Sequence, residues 1–557
     1  MIQLYLQLLK PLKEDDTRAF VSLESIFPLF MHRYLKLAEK VQILFVLREK
    51  IDRIGYWILL EDLEYSLEHE QESWVTACEL PSLRIDNVGI SGFCCVCRQL
   101  IKSTDEKSDL QLLGFRQRSL NTPSDASPWT KLCEVELPKC LHEIHFCTKE
   151  SFWDIPEELL RLEMHLSLPL KVHNMPKYLR QKADNDDEVR FIDSHQLTIL
   201  DIIVWISYNL IFDSIGRDNL RTKVPHTLEW FGNVEPLLEK DFGKVLSRTN
   251  IINGSKIIDC RITKEVRKST FYKIEAKRAG VIQKYTVQKD VESALEKLSE
   301  LKIDYSSKNP EGYCNNFDWK SLPTEVNPFN GDLPDKRMLR KQQQLESMAI
   351  EVVRISKPGD IIVDFCCGTG HLGILIACLL PKCQVILLDN NEESLVVRAR
   401  AWVSKLKLTN VSFFLGNINY FNGNFTTGVS LHACGSATDI VLAKCWEKRA
   451  NFTCSPCCYG KISETPVTKY PQSRVFREKI TYDDIITIAH CADQGHEPLP
   501  GMEENDLDEQ GSICTDIIDT DRKLKAEELG YKVILKRLHP ESCTPKNRLL
   551  VGFVEKS

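Results

Sequence analysis

The sequence IIVDFCCGTGHLG at residues 361–373 decides the fold of the second half of the chain. The β-branched residues at 361–363 lead into Asp364 and predict a buried parallel strand. Gly368 and Gly370 remove side chains where the backbone must approach a ligand, and a helix that begins near His371 offers unpaired N–H groups. The stretch therefore predicts a strand, a tight turn and a helix that bind a nucleotide-like ligand.

A second acidic residue follows the next predicted strand. Residues 384–388 are rich in apolar side chains and end in Asp389, where a carboxylate can accept hydrogen bonds from both hydroxyls of a ribose. The spacing of the three glycines also suits a dinucleotide, but Asp364 would repel a pyrophosphate and favours a cationic ligand. S-adenosylmethionine, which carries an amino group, a sulfonium and a ribose, fits Asp364 and Asp389 together.

The pattern resembles motif I of class I methyltransferases, Asp-x-Gly-x-Gly-x-Gly, with Cys366 at the first glycine position. This cysteine narrows the space beside the methionine part of the cofactor. Asn417 stands where the family normally has an acid that contacts the adenine amino group, and its amide oxygen can accept the same hydrogen bond. The resemblance implies that S-adenosylmethionine contacts Asp364, Cys366, Gly368, Gly370, Asp389 and Asn417.

Length and composition set the general class. A chain of 557 residues has room for two to four domains, and its net charge of -7 gives no global attraction to nucleic acid. We find no secretory signal and no apolar run that could span a bilayer. Twenty-one cysteines without a signal peptide indicate thiols in a reducing compartment. These features predict a soluble cytoplasmic protein with no membrane contact.

The N-terminal region begins with a predicted βαβ unit, with strands at 19–23 and 41–47 around a helix at 28–39. Pro81 then precedes a short strand, a turn and a helix that begins after Ser91. This order resembles thioredoxin-like glutathione-binding domains. The acid that usually precedes the serine is absent, and the candidate nucleophile Ser25 has no obvious activator. We expect a degenerate thioredoxin-like domain at 1–110, without glutathione binding or glutathione transferase activity.

Residues 111–300 have a helical pattern. Thr198 and Asp201 form a predicted capping box before an apolar helix, and Pro225 and Trp230 follow. The arrangement resembles the all-helical C-terminal domain of glutathione transferases and implies a scaffold that can contact protein partners. Within it, residues 256–289 carry ten basic and three acidic side chains, which form either an RNA contact or a solvated face.

The last part of the chain alternates strands and helices. After a predicted linker at 301–335, residues 336–557 predict a doubly wound α/β domain. The final strands at 531–538 and 547–554 form a hairpin that class I methyltransferases have and dehydrogenases lack. The predicted fold is therefore a class I methyltransferase domain, Rossmann-like and seven-stranded. The acidic stretch at 497–509 predicts a disordered insertion loop.

A second group of polar residues follows the fourth and fifth predicted strands. Residues 432–439 have the sequence HACGSATD, and residues 457–459 have the sequence CCY. This combination resembles a subgroup of methyltransferases that includes a tRNA ribose 2′-O-methyltransferase family. The candidate catalytic residues are His432, Cys457 and Tyr459. His432 is either a general base or a histidine bonded to backbone, and Tyr459 either stacks on a base or lies in the core.

Zinc is an alternative for the cysteines of this group. Cys454, Cys457 and Cys458 together with Cys434 could bind the metal. The pleat of the strand, however, points Cys454 elsewhere, and a second regular cysteine pair is absent from the sequence. We therefore expect reduced thiols and no metal.

As a whole, the chain resembles the family of glutathione S-transferase C-terminal domain-containing proteins. The resemblance is strongest at 340–460 and at 541–547, where the sequence is ESCTPKN. We predict an S-adenosylmethionine-dependent methyltransferase with RNA or protein as candidate acceptor. The alternative is a catalytically inactive scaffold, because Cys366 and Asn417 depart from the methyltransferase pattern. A third hypothesis, glutathione conjugation through Ser25, is disfavoured.

Overall fold

The computed structural model describes residues 2–13, 15–48, 53–68, 77–124, 127–146, 153–168, 191–246, 260–263, 271, 287–310, 317–328, 335–493 and 504–554. The chain divides into two compact units. The first contains Met1–Val281 and Tyr420–Asn422, and the second contains Ile282–Asn419 and Gly423–Ser557.

The first unit contains a mixed sheet around a central N-terminal strand. Its strands are β1 (Ile2–Leu8), β2 (Arg18–Ser22), β3 (Val41–Leu47), β4 (Gly55–Leu59), β5 (Tyr65–Leu67), β6 (Ser82–Ile85) and β7 (Val88–Ser91). β1 pairs with β3 in parallel and with β6 in antiparallel fashion, and β6 forms a hairpin with β7. The predicted βαβ unit was wrong in its pairing: β2 pairs in antiparallel fashion with β1 and β4, and the parallel partners of β3 are β1 and β5.

The helices of the first unit are α1 (Leu23–Tyr34), α2 (Phe93–Lys102), α3 (Leu137–Phe146), α4 (Glu157–Ser167), α5 (Ile199–Ile215) and α6 (Pro225–Phe242). Shorter helical segments span Pro128–Lys131 and Arg217–Leu220, and a two-residue strand β8 (Trp153–Asp154) pairs with β9 (Cys260–Arg261). Most of the basic stretch at 256–289 lies outside the described residues, so its contact with RNA stays a prediction.

The predicted capping box at the start of α5 is confirmed. Asp201 is fully buried and accepts hydrogen bonds from the Thr198 amide and hydroxyl. Its other oxygen accepts the Ile192 amide at 2.8 Å and the Trp230 indole N–H at 3.1 Å. Burial raises the pKa of Asp201 to about 6. One carboxyl group therefore joins the start of α5 to α6.

The two serines of the glutathione hypothesis are buried in the first unit. The Ser25 hydroxyl oxygen accepts the Gln7 amide at 3.0 Å and lies 2.9 Å from the Ser22 hydroxyl oxygen. The Ser91 hydroxyl donates to the Glu79 carbonyl at 2.6 Å. The peptide bond before Pro81 is cis. Both hydroxyls are thus used in internal hydrogen bonds.

Among its described residues, the second unit contains seven strands in one sheet: β10 (Ile361–Phe365), β11 (Gln384–Asp389), β12 (Val411–Leu415), β13 (Thr427–Cys434), β14 (Asn451–Cys457), β15 (Tyr531–Arg537) and β16 (Arg548–Val554). The spatial order is β12-β11-β10-β13-β14-β16-β15. β10 to β14 run parallel, and β16 runs antiparallel to both β14 and β15. The terminal hairpin and the seven-stranded α/β organisation agree with the sequence prediction.

The helices in the described part of the second unit include α7 (Gln288–Ser299), α8 (Asp335–Ile355), α9 (His371–Leu379), α10 (Arg400–Lys405), α11 (Ser436–Glu447), α12 (Tyr482–Ala492) and α13 (Glu504–Glu528), and a short helix spans Arg474–Arg477. A π-helical segment, Glu393–Ala399, leads into α10. No helix in the described part of the chain combines the length and the apolar composition that crossing a membrane requires.

The division between the units differs from the predicted domain limits. Val291, Ala294 and Leu298 of α7 share one hydrophobic cluster with side chains of α12 and α13. The predicted linker also bonds within the second unit, where the Ser307 hydroxyl donates to Asp516 at 2.7 Å. Residues 288–310 thus belong to the second unit, although the sequence analysis divided them between the helical domain and a linker.

The prediction of an insertion loop at 497–509 is partly wrong. Residues 494–503 lie outside the described part, and 504–509 begin the long helix α13. Later in α13, the charged side chains of Asp519 and Arg522 are buried and paired with each other. Because charged residues in a sequence usually predict a solvent-exposed face, Asp519 and Arg522 prevent the buried face of α13 from being recognised by its hydrophobic pattern.

Candidate functional site

Two carboxylates hold the glycine-rich turn at the carboxyl ends of β10 and β11. Asp364, which is 1% exposed, accepts the Gly373 amide at 2.8 Å and so fixes the first turn of α9. Asp389 accepts the Gly368 amide at 2.7 Å through Oδ2 and the Asn391 amide at 2.8 Å through Oδ1. These bonds explain why the sequence has acids after both strands.

The turn itself has an open side at Gly368. This glycine has φ +57°, and a Cβ built on it would meet no described heavy atom within 4 Å. At Gly370, by contrast, a Cβ would lie 2.9 Å from Cδ1 of Leu387. Cys366 adopts the same left-handed region with φ +56° although it is not a glycine. The backbone at Gly368 is therefore the part of the turn that a ligand can approach.

The charge distribution of this site favours a cation. Burial first, and then the neighbouring charge of Asp389, raises the pKa of Asp364 to about 7. Burial also raises the pKa of Asp389. The ammonium group of Lys341 opposes the shift at Asp364. A positively charged ligand would stabilise both ionised carboxylates, as the sequence analysis expected for S-adenosylmethionine.

Two residues of α8 that sequence reasoning missed also act on the site. Burial lowers the pKa of Lys341, and the charge of Lys341 in turn contributes to the lowered pKa of His432. Gln344 places its Oε1 at 3.1 Å from Nε2 of His432, while its Nε2 donates to the Cys543 carbonyl. The spacing of three residues on a predicted helix puts Lys341 and Gln344 on one face and is the signal that could have found them.

His432 lies in β13 with φ +65° and has a side-chain partner. Because the Gln344 amide group donates to a carbonyl, its oxygen faces the imidazole and assigns the proton of a neutral ring to Nε2. Burial lowers the pKa of His432, which keeps the ring neutral near pH 7. Nδ1 is then the atom that can accept a proton.

His371, the first residue of α9, also has a depressed pKa. Its Nδ1 lies 2.8 Å from the Thr369 hydroxyl oxygen, and its ring packs edge-on against Trp402. Burial, and then the charge of Lys341, lowers the pKa of His371 to about 3. The start of α9 therefore carries a neutral imidazole.

The structure does not support the predicted catalytic role of Tyr459. Its side chain has no exposed surface, and its hydroxyl donates to Asp519 at 2.7 Å. The ring lies in the same hydrophobic cluster as α12 and α13. A side chain in this position cannot stack on a base, so the alternative of a core tyrosine is the one that fits.

The end of the HACGSATD sequence has a structural role. The Thr438 hydroxyl donates to the Ala433 carbonyl at 2.6 Å, which holds the turn between β13 and α11. Asp439 is fully buried and accepts both Nε and Nη2 of Arg522 at 2.7 Å. It also accepts the Tyr470 hydroxyl at 2.6 Å. Thr438 and Asp439 thus fix the position of the residues that precede them.

Three cysteines form what we call the thiol cluster: Cys434, Cys457 and Cys458. The sulfur of Cys434 lies 3.2 Å from that of Cys457 and 3.5 Å from that of Cys458. Cys454 is fully buried, and burial raises its pKa to about 12. Cys457 therefore lies beside two other thiols, and its catalytic role stays a prediction.

Cys366 connects the thiol cluster to the glycine-rich turn. Burial, the charges of Asp389 and Asp364, and the proximity of Cys434 raise the pKa of Cys366 to about 12. Cys366 is therefore a neutral thiol within electrostatic range of both groups.

Asn417 follows β12 and uses its side chain locally. Its Oδ1 accepts the Asn419 amide at 3.0 Å, which forms a turn of the Asx type. The predicted contact of Asn417 with adenine stays a prediction.

The chain is similar to known proteins in sequence and, more distantly, in structure. Residues 340–465 match a family model described as a methyltransferase domain. Among solved structures, magnesium protoporphyrin IX methyltransferase (ChlM) from Synechocystis PCC 6803 with bound SAH aligns at 14% identity with a TM-score of 0.25, covering 40% of this chain and 90% of that chain.

Relatives of full length define the family. The chain is 36% identical to a glutathione S-transferase C-terminal domain-containing protein homolog of Drosophila melanogaster over 100% of both chains. It is 31% identical to the glutathione S-transferase C-terminal domain-containing protein of Homo sapiens over 89% of each chain. With this identity along its whole length, the chain belongs to the family of glutathione S-transferase C-terminal domain-containing proteins.

Proposed function

We propose that the second unit is an S-adenosylmethionine-dependent methyltransferase. The observation that carries the proposal is the pair of carboxylates, Asp364 and Asp389, which hold a glycine turn that is open at Gly368. A match of residues 340–465 to a methyltransferase domain supports it. The turn, the negative charge and the order of strands all suit a cationic nucleoside.

The cofactor, when bound, supplies an electrophilic methyl group. Asp389 would hold the ribose, because its carboxylate lies at the end of β11 beside the glycine turn, where it can accept hydrogen bonds from ribose hydroxyls. Asp364 keeps the turn in place and contributes negative charge, while Cys366 and Asn417 would border the methionine and adenine parts. His432, neutral and oriented by Gln344, can accept the proton of the acceptor at Nδ1.

We propose RNA as the methyl acceptor, with protein as the competing class. The support is the resemblance of residues 432–439 and 457–459 to methyltransferases that include a tRNA ribose 2′-O-methyltransferase family. A ribose hydroxyl needs alignment with the methyl donor and one proton acceptor, which the site offers in His432. The cysteine content favours a reducing compartment, and we propose the cytoplasm.

Binding of the cofactor is tested by calorimetry on the full chain. We expect S-adenosylmethionine to bind the wild type and Asp389→Ala to weaken binding by at least about 100-fold, since charged hydrogen bonds contribute about 1.5–3 kcal/mol each. The matched control is Glu393→Ala, which removes an exposed acid from the segment after β11 and should leave affinity unchanged.

The alternative function is a catalytically inactive scaffold. Cys366 in place of glycine and the local hydrogen bond of Asn417 favour it. If folded wild-type protein binds no S-adenosylmethionine, the methyltransferase proposal is wrong and the scaffold stands. If it binds but transfers no methyl group from labelled cofactor to cellular RNA or protein, the domain is a cofactor-dependent scaffold.

We infer that the first unit is a degenerate glutathione-transferase-like module that contacts protein partners. The antiparallel hairpin β6–β7 beside the parallel pair β1–β3 supports this fold, and the buried hydroxyls of Ser25 and Ser91 support the loss of its chemistry. Retention of the protein on immobilised glutathione, with elution by free glutathione, would contradict the inference.

A further inference from the structure

The thiol cluster lies at the carboxyl ends of two neighbouring parallel strands. Cys434 ends β13 and stands in register with Cys457 at the end of β14, after an irregularity in the pairing that begins at Leu431. The sulfur atoms of Cys434, Cys457 and Cys458 all lie within 4.8 Å of one another. Three ligand atoms of one chemical type are therefore brought together by the main-chain pairing of β13 and β14.

The backbone after β14 explains how two consecutive cysteines join one cluster. Adjacent residues of a strand point to opposite faces, so Cys457 and Cys458 would normally diverge. Cys458 adopts φ +51°, a left-handed conformation that breaks this alternation. The sulfur of Cys458 is thereby directed to the side on which Cys434 lies.

The turns that carry these cysteines are tightly packed. A Cβ on Gly435 would lie 2.7 Å from the carbonyl oxygen of Lys461, so the two loops touch through their backbones. The Ser436 hydroxyl also donates to the Ser463 carbonyl at 2.9 Å. The cluster is therefore held by close backbone contacts and hydrogen bonds, which preorganise it for a ligand.

We propose that the thiol cluster binds one zinc ion through Cys434, Cys457 and Cys458. Thiolate sulfur is a preferred ligand of zinc, and Zn–S bonds of about 2.3 Å in tetrahedral geometry place sulfurs about 3.8 Å apart. The observed separations of 3.2 and 3.5 Å need to change by only a few tenths of an ångström. From the sequence we expected no metal, because Cys454 points elsewhere in the pleat and a second regular cysteine pair is absent, whereas the structure brings Cys434, Cys457 and Cys458 together without Cys454.

The proposed site is open on one side. Cys434 is exposed, so a fourth position faces solvent and is filled by water or by a donor atom of an incoming molecule. Three protein ligands and one exchangeable position are typical of catalytic zinc sites, while structural sites use four protein ligands. The binding of zinc does not depend on the methyltransferase proposal and is measured without S-adenosylmethionine.

The first test is the zinc content and affinity of the full chain, purified with a reductant and titrated against a chromophoric chelator. We expect one tightly bound zinc per wild-type chain. Each of Cys434→Ser, Cys457→Ser and Cys458→Ser should weaken binding by more than about tenfold, since changes to outer-shell partners alone cost 10- to 100-fold. The control Cys378→Ser alters a half-buried cysteine of α9 and should retain the wild-type affinity.

Three further measurements keep the proposal falsifiable if a serine variant fails to fold. Cys458→His should retain zinc, because imidazole is a zinc ligand and histidine tolerates the left-handed region. In the wild type, zinc should slow the alkylation of exposed Cys434 at least about tenfold, because the metal-bound thiolate is shielded. Cobalt in place of zinc should give the absorption of a tetrahedral thiolate site.

Three outcomes would overturn the proposal. The wild type could bind no more zinc than the three serine variants, zinc could leave the alkylation rate of Cys434 unchanged, or Cys434 and Cys457 could be recovered as a disulfide from protein prepared under reductant. Either of the first two results would identify the cluster as thiols without a metal, and the third would identify it as a disulfide.

Discussion

At the scale of single residues, Asp364 is the most informative side chain of the candidate site. It is 1% exposed, and its pKa is raised to about 7 by burial and by Asp389. The folded protein therefore holds a proton at Asp364 over a pH range in which the unfolded chain has released it. The contribution of Asp364 to the free energy of unfolding is complete below its ordinary pKa of 3.8. This contribution is lost as the pH rises through the folded-state pKa of about 7.

Asp364→Asn should remove this pH dependence. An asparagine keeps an oxygen that can accept the Gly373 amide but remains neutral at every pH. Between pH 5 and pH 8 we expect the wild type to lose on the order of 2 kcal/mol relative to the variant. Urea unfolding at several pH values measures the difference. Glu393→Gln, which alters an exposed acid, should follow the wild-type curve, and parallel curves for Asp364→Asn would contradict the prediction.

At the scale of elements, α13 is attached to α11 by buried charges. Arg522 of α13 is 1% exposed and pairs with Asp439 of α11 at 2.7 Å and with Asp519 of its own helix at 2.8 Å. Asp519 in turn accepts the hydroxyl of Tyr459. These bonds compensate ionised groups that would otherwise be costly to bury. The packing of α13 therefore depends on the guanidinium group of Arg522.

Arg522→Ala should destabilise the second unit strongly. It leaves two buried carboxylates without their cation, and the loss of one partner of a buried pair costs about 3–5 kcal/mol. Thermal and urea unfolding measure the change. The control is Arg474→Ala, which removes an exposed pair with Glu478 and should have little effect. Equal effects of the two substitutions would show that the buried network contributes no more than a surface pair.

At the scale of the whole molecule, the second unit extends further toward the N-terminus than its methyltransferase motifs. α7 buries Leu298 against α12 and α13, and Lys297 pairs with Asp484 at 2.8 Å. Asn309 donates to the Arg537 carbonyl at 2.9 Å, next to the terminal hairpin. Residues 288–310 therefore complete the surface of the α/β sheet unit rather than connect two domains.

A fragment of residues 288–557 should fold, and a fragment of residues 336–557 should not match its stability. The shorter fragment exposes the apolar side chains that α7 covers and leaves Asp516 without the Ser307 hydroxyl. We expect a lower melting temperature and aggregation for 336–557, measured by calorimetry and light scattering. Equal melting temperatures would show that α7 is dispensable.

The regular part of the sheet could be predicted from the sequence. β-branched runs ending in Asp364 and Asp389 gave the first two parallel strands, and the terminal hairpin followed from two apolar segments. α13 could not be predicted in this way, because Asp519 and Arg522 lie in its buried face and have the pattern of a solvated helix. The thiol cluster depends on the left-handed conformation of Cys458, which periodicity does not encode.

Three non-glycine residues in left-handed conformations lie near the carboxyl ends of three neighbouring strands: Cys366 after β10, His432 within β13 and Cys458 after β14. Such conformations cost an L-residue roughly 1–2 kcal/mol. Selection for heat resistance alone would replace these side chains by glycine. In the absence of zinc, we expect Cys458→Gly to raise the melting temperature, whereas Cys434→Gly should lower it; Cys458→Gly should also lose zinc binding. Thermal stability and ligand binding therefore place opposite demands on these positions. A variant selected in the laboratory for a higher melting temperature should lose ligand binding, and the reverse should also hold.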